Sequence, residues 1–344
     1  MLRNWANGNG RRIVVAMGAV GALVGLAACG SDGGSADGRS ASSGDAKVIA
    51  TTPIWADVTS NVLCGEVEVG SIVPAGADAH SFEPSVQDAD ALRSVDLVVS
   101  NGLELEEGLH ASIEAAEESG ATVVELGPSL EPLDGEEHAE DEHADEEHAE
   151  DEHAEDEHHH DVDPHVWMDP DRAAAAVPLI VEALGSVDGL PVDAERIDEC
   201  AAAYVDELAA LSTEMDEVLA TVPEGSRQLV TNHESLGYFA DRFDFEVIGA
   251  VIPSTSSLGE SSARDLDELA TVMTDAGVTA IFAETTGSSE VSDGLAERLG
   301  EQVAVVELFT ESTGDADSGA STYIDMMRAN AELVAANTGG SVRR

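Results

Sequence analysis

The feature that most constrains this sequence is a β-α alternation that occurs twice, once on each side of a long helical stretch. Short β-branched runs ending in turn residues predict strands at 47–52, 67–73, 96–100 and 122–126, then at 228–231, 246–251, 280–283 and 304–307. Helical patterns lie between them, at 84–93, 105–118, 263–276, 291–299 and 321–336. This order predicts an α/β fold in which parallel sheets are flanked by helices.

The helical stretch between the halves runs from about Asp193 to Ala220. Its apolar residues recur at helical spacing, at Ile197, Tyr204, Leu208, Leu211, Met215 and Leu219. Either it is a surface helix of one lobe or it joins two lobes, and the strand-rich halves on both sides favour a join. We therefore expect an N-terminal lobe over 46–186, a linking helix within 187–222, a C-terminal lobe over 223–338 and a tail over 339–344.

The amino terminus has the pattern of an export signal. Arg11 and Arg12 precede an apolar run that closes as Leu26-Ala-Ala-Cys29. The run is shorter than the roughly 20 residues that a membrane-spanning helix needs. Cys29 in this setting resembles the lipobox of bacterial lipoproteins, which implies acylation and attachment to the outer face of the cell membrane; the alternative is a cleaved signal with an incidental Cys. We expect a signal peptide over 1–28 and a flexible tether over 29–45.

Charge and cysteine content narrow the partners and the compartment. A formal net charge of −55 predicts that nucleic acid is not a partner, because its phosphates would be repelled. The same acidity also keeps a protein soluble in salty surroundings. Cys64 and Cys200 are a candidate disulfide in an oxidising compartment, but one sequence does not show whether their Cα atoms come close enough, so the bridge stays open.

Residues 134–163 form a tract of histidines and acids without Lys or Arg. Its histidines are mostly five residues apart, at His138, His143, His148, His153 and His158, followed by His159 and His160. Like charge and scarce apolar surface predict a disordered loop. Imidazoles suit Zn, Cu and Ni, but a spacing of five does not place them on one helix face. We expect weak, reversible metal binding here; the alternative is a solvating acidic spacer.

Three further histidines stand in ordered surroundings. His80 and His233 each follow a predicted strand, and His165 precedes a predicted helix. Open α/β sheets bind ligands at the carboxyl ends of their strands, and a cleft between lobes is a natural meeting place. A single such histidine is commonly a surface residue, as we expect for His110. Three of them beside a histidine-rich tract, in an exported chain, predict one shared metal site.

These segments resemble the signatures of the metal-binding solute-binding proteins of ABC transporters, the zinc and manganese family called cluster A-I. The family also carries an acidic, histidine-rich loop before its second signature, where the tract lies. The resemblance covers Lys47 to about Asn337. The segments that carry it are Gly76-Ala-Asp-Ala-His80-Ser-Phe-Glu83-Pro84, Asp163-Pro-His165-Val-Trp-Met-Asp169-Pro170 and the run from Thr231 through His233 to Phe239.

The resemblance implies that His80, His165 and His233 are metal ligands and that a fourth ligand lies near the carboxyl end. The fourth is usually an Asp after an aromatic-Thr or aromatic-Ser pair, but here Phe309-Thr310 is followed by Glu311. Glu311 therefore binds directly, binds through water, gives way to water, or is an exposed acid. Glu284 and Asp163 are expected to accept hydrogen bonds from the free N–H groups of ligand imidazoles. The stretch 322–330 also resembles the family and is expected to be structural.

Three imidazoles and one carboxylate form the tetrahedral set that Zn²⁺ prefers, whereas Mn²⁺ favours more oxygen ligands. Family members that handle manganese tend to have Glu where His233 stands. We therefore expect a monomeric, non-enzymatic protein that binds Zn²⁺ as transported ligand and delivers it to the permease of an ABC importer. Alternatives are Mn²⁺ or another divalent metal, a zinc buffer or adhesin without a transporter, and a zinc hydrolase, although no His-Glu-x-x-His or nucleophile motif occurs.

Overall fold

The computed structural model describes residues 47–135, 162–300 and 302–338 of the 344-residue chain. The expected signal peptide, the tether with Cys29 and the tail at 339–344 lie outside the described residues. So do positions 136–161 of the tract, with its seven histidines at 138, 143, 148, 153, 158, 159 and 160. Within the described ranges, no helix has both the length and the apolar character that crossing a bilayer requires.

The first lobe contains a parallel sheet whose strands lie in the order β2-β1-β3-β4. The strands are β1 (Val48–Ala50), β2 (Val69–Ser71), β3 (Leu97–Ser100) and β4 (Thr122–Glu125). The helices are α1 (Pro53–Val62), α2 (Val86–Leu92), α3 (His110–Glu118) and α4 (Pro170–Leu184). Strand order reverses between β1 and β3, which opens a crevice at their carboxyl ends.

The second lobe repeats this arrangement, with its strands in the order β6-β5-β7-β8. The strands are β5 (Gln228–Thr231), β6 (Glu246–Ala250), β7 (Ala280–Glu284) and β8 (Ala304–Leu308). The helices are α6 (Gly237–Phe243), α7 (Ala263–Ala276), α8 (Glu290–Leu299) and α9 (Tyr323–Asn337). Here the order reverses between β5 and β7, so the crevice lies between those two strands.

The helix α5 (Ala194–Leu219) connects the lobes and is part of their common core. Asp193 caps its first turn by accepting a hydrogen bond from the backbone N–H of Arg196. All six apolar residues of the predicted stripe are buried, and one continuous core extends from β1 across α5 to α6 and α9. A smaller core lies between the second sheet and the helices α7 and α8. The predicted fold class is confirmed, and the shared core restricts how far the lobes can separate.

The structure contains two helices that were not predicted, α1 and α6, and one predicted helix that begins later. The helix α1 was not predicted: Ile54, Val58 and Val62 recur at helical spacing, but these β-branched residues are weak helix formers. The helix α6 is only seven residues long, too short for a clear pattern. The predicted helix at 105–118 begins with a 3₁₀ turn, Glu107–Leu109, and becomes α-helical at His110.

Cys64 and Cys200 form a disulfide in this structure, with their Cα atoms 5.6 Å apart. The bridge joins the residue that follows the last turn of α1 to the second turn of α5. It closes a segment of 136 residues in sequence separation and ties the first lobe to the linking helix. A closed loop of this length restricts the unfolded chain strongly.

We expect the double substitution Cys64→Ser and Cys200→Ser to lower the free energy of unfolding by about 2–5 kcal/mol and the thermal midpoint by about 5–15 °C. Thermal unfolding followed by circular dichroism measures both. As a control, a reductant should lower the midpoint of the parent chain and leave that of the double variant unchanged. Equal midpoints for the oxidised parent and the double variant would contradict a stabilising bridge.

Candidate metal centre

Four buried side chains from both lobes converge on one point. His80, His165, His233 and Glu311 each offer one ligand atom, and these atoms all lie within 4.8 Å of one another. The fully buried Nε2 of His165 is central, 3.3 Å from Nε2 of His80, 3.1 Å from Nε2 of His233 and 3.2 Å from Oε1 of Glu311. The structure therefore brings together the three histidines and the acid that the sequence singled out.

The spacing of these atoms fits a shared cation. In a tetrahedron with metal–nitrogen bonds of about 2.0–2.1 Å, neighbouring ligand atoms are about 3.3 Å apart. The contacts of His165 match that edge, and the wider contacts are 3.7 Å from His233 Nε2 to Glu311 Oε1 and 3.9 Å from His80 Nε2 to Glu311 Oε2. Small movements would place all four atoms at bonding distance from one ion.

Asp163 orients His165 from within the same short segment. Its Oδ1 accepts a hydrogen bond from the backbone N–H of His165 at 2.9 Å and lies 2.7 Å from the ring Nδ1. Nδ1 therefore carries the proton, and Nε2 points at the other ligand atoms. Burial by itself lowers the pKa of His165, but the carboxylates of Glu311 and Asp163 raise it to about 10.

His233 lies at the crevice of the second sheet, two residues after β5 ends. Its Nδ1 contacts Oε1 of Glu284, the last residue of β7, so the pair spans the two strands where the order reverses. Asn232 donates from Nδ2 to Oε2 of Glu284 at 3.2 Å, and Ser292 donates to Oδ1 of Asn232 at 2.8 Å. This hydrogen-bond chain fixes the imidazole with Nε2 toward Glu311.

His80 is placed by a loop and not by a strand end. The strand β2 ends at Ser71, and eight residues separate it from His80. The expectation that His80 lies just after a strand is therefore wrong. Asp78 holds the loop by accepting from the backbone N–H of His80 at 2.9 Å, and Ser257 of the second lobe donates to the same carboxylate at 2.6 Å. Burial lowers the pKa of His80 to about 4, with the other two imidazoles adding to the effect and Glu311 opposing it.

Glu311 follows β8 and is 1% exposed. Neither of its carboxylate oxygens has a hydrogen-bond donor in bonding geometry among the described residues, although Oε1 lies 3.2 Å from Nε2 of His165. Burial alone would raise its pKa, but His165 and the other imidazoles lower it to about 2. A buried carboxylate without hydrogen bonds, facing three imidazoles, is an arrangement that a bound cation satisfies.

Two side chains from distant parts of the sequence hold the segment that carries Glu311. Asn330 of α9 accepts from the backbone N–H of Phe309 at 2.9 Å and donates to its carbonyl at 2.8 Å. Trp167 donates from its indole to the carbonyl of Thr310 at 2.7 Å, and its own carbonyl accepts from the hydroxyl of Tyr323 at 2.6 Å. The Trp167 bonds cross between the lobes and fix the His165 and Glu311 segments relative to each other.

The crevice of the first sheet supports the site indirectly. Asn101, just after β3, donates from Nδ2 to the carbonyl of Pro164 at 2.9 Å and accepts from the indole of Trp55 at 2.9 Å. The buried carboxylate of Glu106 accepts from the backbone N–H of Asn101 at 2.9 Å and from the hydroxyl of Thr51 at 2.5 Å. These bonds hold the residue that precedes His165.

The chain resembles known proteins over most of its length. The family model described as ZnuA, zinc-uptake complex component A, periplasmic, matches residues 48–337. The chain belongs to this family. Members of the ZnuA family are metal-binding substrate-binding proteins of ABC transporters and not enzymes, so the hydrolase alternative is not supported.

Individual relatives carry the names of different metals. The manganese-binding lipoprotein MntA of Halalkalibacterium halodurans is 28% identical over 286 residues, covering 83% of this chain and 86% of MntA. The zinc-binding protein TroA of Treponema pallidum is 28% identical over 332 residues, covering 94% and 97%. The solved TroA structure has a TM-score of 0.73 at 26% identity and covers 86% of this chain and all of TroA. These comparisons support a metal-binding member of the ZnuA family without selecting the metal.

Other functional residues were not visible from the sequence of this ZnuA-family chain. Asn101, Trp167 and Asn330 act through partners far away in the sequence, although Trp167 and Asn330 lie within segments that resemble the family. The available signal was an asparagine next to an apolar run, as at Asn101 after β3. If such a residue is buried its amide needs partners, because an unpaired amide is costly in a core. His110 is exposed, as expected for a surface residue.

A cation that binds all three imidazoles must displace the second proton of His165, the one on Nε2, while the Nδ1 proton stays on its bond to Asp163. Since the pKa of His165 is about 10 and that of His80 about 4, we expect Zn²⁺ binding at neutral pH to release about one proton and its dissociation constant to rise about tenfold per unit of falling pH. Calorimetry in buffers of different ionisation enthalpy counts the protons. The control His110→Ala should release the same number of protons as the parent. Zn²⁺ binding by the parent without proton release would contradict the raised pKa of His165 beside Asp163 and Glu311.

Proposed function

We propose that this protein captures Zn²⁺ outside the cytoplasm and delivers it to the permease of an ABC importer, held at the membrane by acyl chains on Cys29. The observation that carries the proposal is the buried set of three imidazoles and one carboxylate drawn from both lobes. Family membership supports a permease partner. The lipoprotein names of relatives such as MntA support export and membrane attachment of this chain as well.

The donor set favours zinc over manganese. Three of the four ligand atoms are imidazole nitrogens, which suit borderline ions such as Zn²⁺, whereas Mn²⁺ is better served by carboxylate, carbonyl and water oxygens. The oxygen-rich groups nearby, Asp163 and Glu284, face the Nδ1 atoms of His165 and His233 and are occupied there. They raise the basicity of the imidazoles and leave Glu311, among the residues that the structure describes, as the one carboxylate aimed at the ion.

Charge balance also supports a divalent cargo. The carboxylates of Asp163, Glu284 and Glu311 are all buried within or beside the site. Buried charge of one sign is costly unless it is compensated. A divalent cation would compensate the carboxylates while the three imidazoles remain neutral, which is the state in which imidazole ligates.

Capture and release would then follow from the position of the ligands in both lobes. His80 and His165 are in the first lobe, and His233 and Glu311 are in the second. Because all four side chains are buried, an ion enters or leaves only when the lobes or their loops move. The shared core around α5 keeps that movement modest, so we infer local opening at the site without wide separation of the lobes.

Titration of metal-free protein tests the choice of metal. We expect one tightly bound Zn²⁺ per chain, with an affinity at least about 100-fold higher than that for Mn²⁺, because nitrogen donors favour zinc in the affinity series. Competition calorimetry with both ions measures the ratio. His233→Glu replaces a nitrogen donor by oxygen and should lower the ratio of Zn²⁺ affinity to Mn²⁺ affinity. Tighter binding of Mn²⁺ than of Zn²⁺ by the parent would exclude the zinc assignment.

A second comparison locates the main site. Loss of one of four ligands should weaken Zn²⁺ binding by about 100-fold or more, so His165→Ala is expected to have a far larger effect than deletion of residues 136–160. Chelator competition measures both affinities. The deletion variant should retain one tight Zn²⁺ per chain. If deletion abolished tight binding while His165→Ala preserved it, the principal site would lie in the tract.

A further inference from the structure

The first residue of α6, Gly237, makes an unusually close approach to the residue that orients His165. A Cβ atom built on Gly237 would lie 2.5 Å from Oδ2 of Asp163, closer than real Cβ contacts allow. The φ angle of Gly237 is not positive, so its backbone conformation does not require glycine. Alanine is also the better helix former. Close approach to Asp163 is therefore the property that this glycine provides.

Asp163 is held on several sides. Its Oδ1 faces the backbone N–H and the ring Nδ1 of His165, and its Oδ2 lies against Gly237. The neighbouring Tyr238 donates its hydroxyl to the backbone carbonyl of Asp163 at 2.7 Å and accepts from the backbone N–H of Leu133 at 2.9 Å. Asp163 is 4% exposed, so its carboxylate has little free space into which it could move.

We propose that Gly237 is a positioning residue for the metal site: by lacking a side chain it seats the Asp163 carboxylate that fixes the ring of His165. The inference rests on the proposed capture of a metal ion by His165. It links the two lobes, because α6 belongs to the second lobe and Asp163 to the segment that carries a first-lobe ligand. The start of α6 thus acts on ligands of both lobes. It follows His233 in the chain, and through Asp163 it sets the orientation of His165.

A methyl group at position 237 would force the Asp163 carboxylate away from α6. The carboxylate moves together with its hydrogen bonds to the backbone and ring of His165, so the ring turns and its Nε2 leaves the position it shares with the other ligand atoms. Loss of such an orienting partner typically weakens metal binding by about 10–100-fold. The helix itself would not suffer, because alanine is favoured there.

Zn²⁺ affinity by chelator competition and the visible spectrum of bound Co²⁺ test the proposal in the full chain. We expect Gly237→Ala to weaken Zn²⁺ binding by about tenfold or more and to alter the Co²⁺ spectrum, which reports ligand geometry. Asp163→Ala should give a similar loss. Combining the two should cost less than about twofold beyond Asp163→Ala alone, since both act through the same contact. Gly294→Ala is the control, because that helical glycine has nothing within 4 Å of a built Cβ.

The proposal is overturned if Gly237→Ala binds Zn²⁺ within about twofold of the parent with an unchanged Co²⁺ spectrum, or if its loss multiplies with that of Asp163→Ala. Should Gly237→Ala fail to fold, the double variant Gly237→Ala with Asp163→Ala decides, because it lacks the carboxylate that the new Cβ would meet. We expect the double variant to fold and to bind Zn²⁺ within about twofold of Asp163→Ala, and failure to fold or clearly weaker binding would overturn the proposal. A parent chain that prefers Mn²⁺ would refute only the zinc assignment, because the same variants are then compared with Mn²⁺.

Discussion

The contact of one buried carboxylate with three imidazoles is the interaction on which the rest of this structure depends. Glu311 lies 3.2 Å from His165 and has no hydrogen-bond donor in bonding geometry among the described residues. Removing a carboxylate from water costs several kcal/mol unless positive charge accompanies it. A proton on His165 supplies that charge in the metal-free protein, and a divalent ion would supply it in the loaded protein. In both states the positive charge lies between His165 of the first lobe and Glu311 of the second, so compensation of this carboxylate depends on groups from both lobes.

The two lobes use the same sheet topology to different ends. In the second sheet the crevice between β5 and β7 holds a ligand and its partner directly, as His233 and Glu284. In the first sheet the corresponding crevice between β1 and β3 holds Thr51, Asn101 and Glu106, which support the carbonyl before His165. One crevice therefore presents an imidazole, and the other fixes the segment that presents one.

Much of the fold could be predicted because most of its helices have one buried face and its strands are short β-branched runs that end in turn residues. The strand β5 at 228–231 and the helix α7 at 263–276 have the predicted bounds. The ends of α7 are marked by a capping box at Ser262 and by Gly277 in the left-handed conformation. The helix α1 could not be found in the same way. Its apolar residues Ile54, Val58 and Val62 do recur at helical spacing, but they are β-branched and weak helix formers, so contacts with α4, α5 and the first sheet decide the element.

The site was predictable only where a residue carries its signal in adjacent sequence. Each histidine has a local motif, whereas the partners that aim them come from elsewhere: Asn330 reaches back to Phe309, and Gly237 meets Asp163 across a gap of more than seventy residues. Local sequence left Glu311 as a direct ligand, a water-mediated ligand, a residue that gives way to water, or an exposed acid. Asn330 and Trp167 fix the backbone on both sides of the Phe309–Thr310 peptide, so the side chain of Glu311 turns into the cluster despite being one methylene longer than Asp. Contacts that are remote in sequence thus bury Glu311 against the three imidazoles, which excludes the exposed-acid alternative.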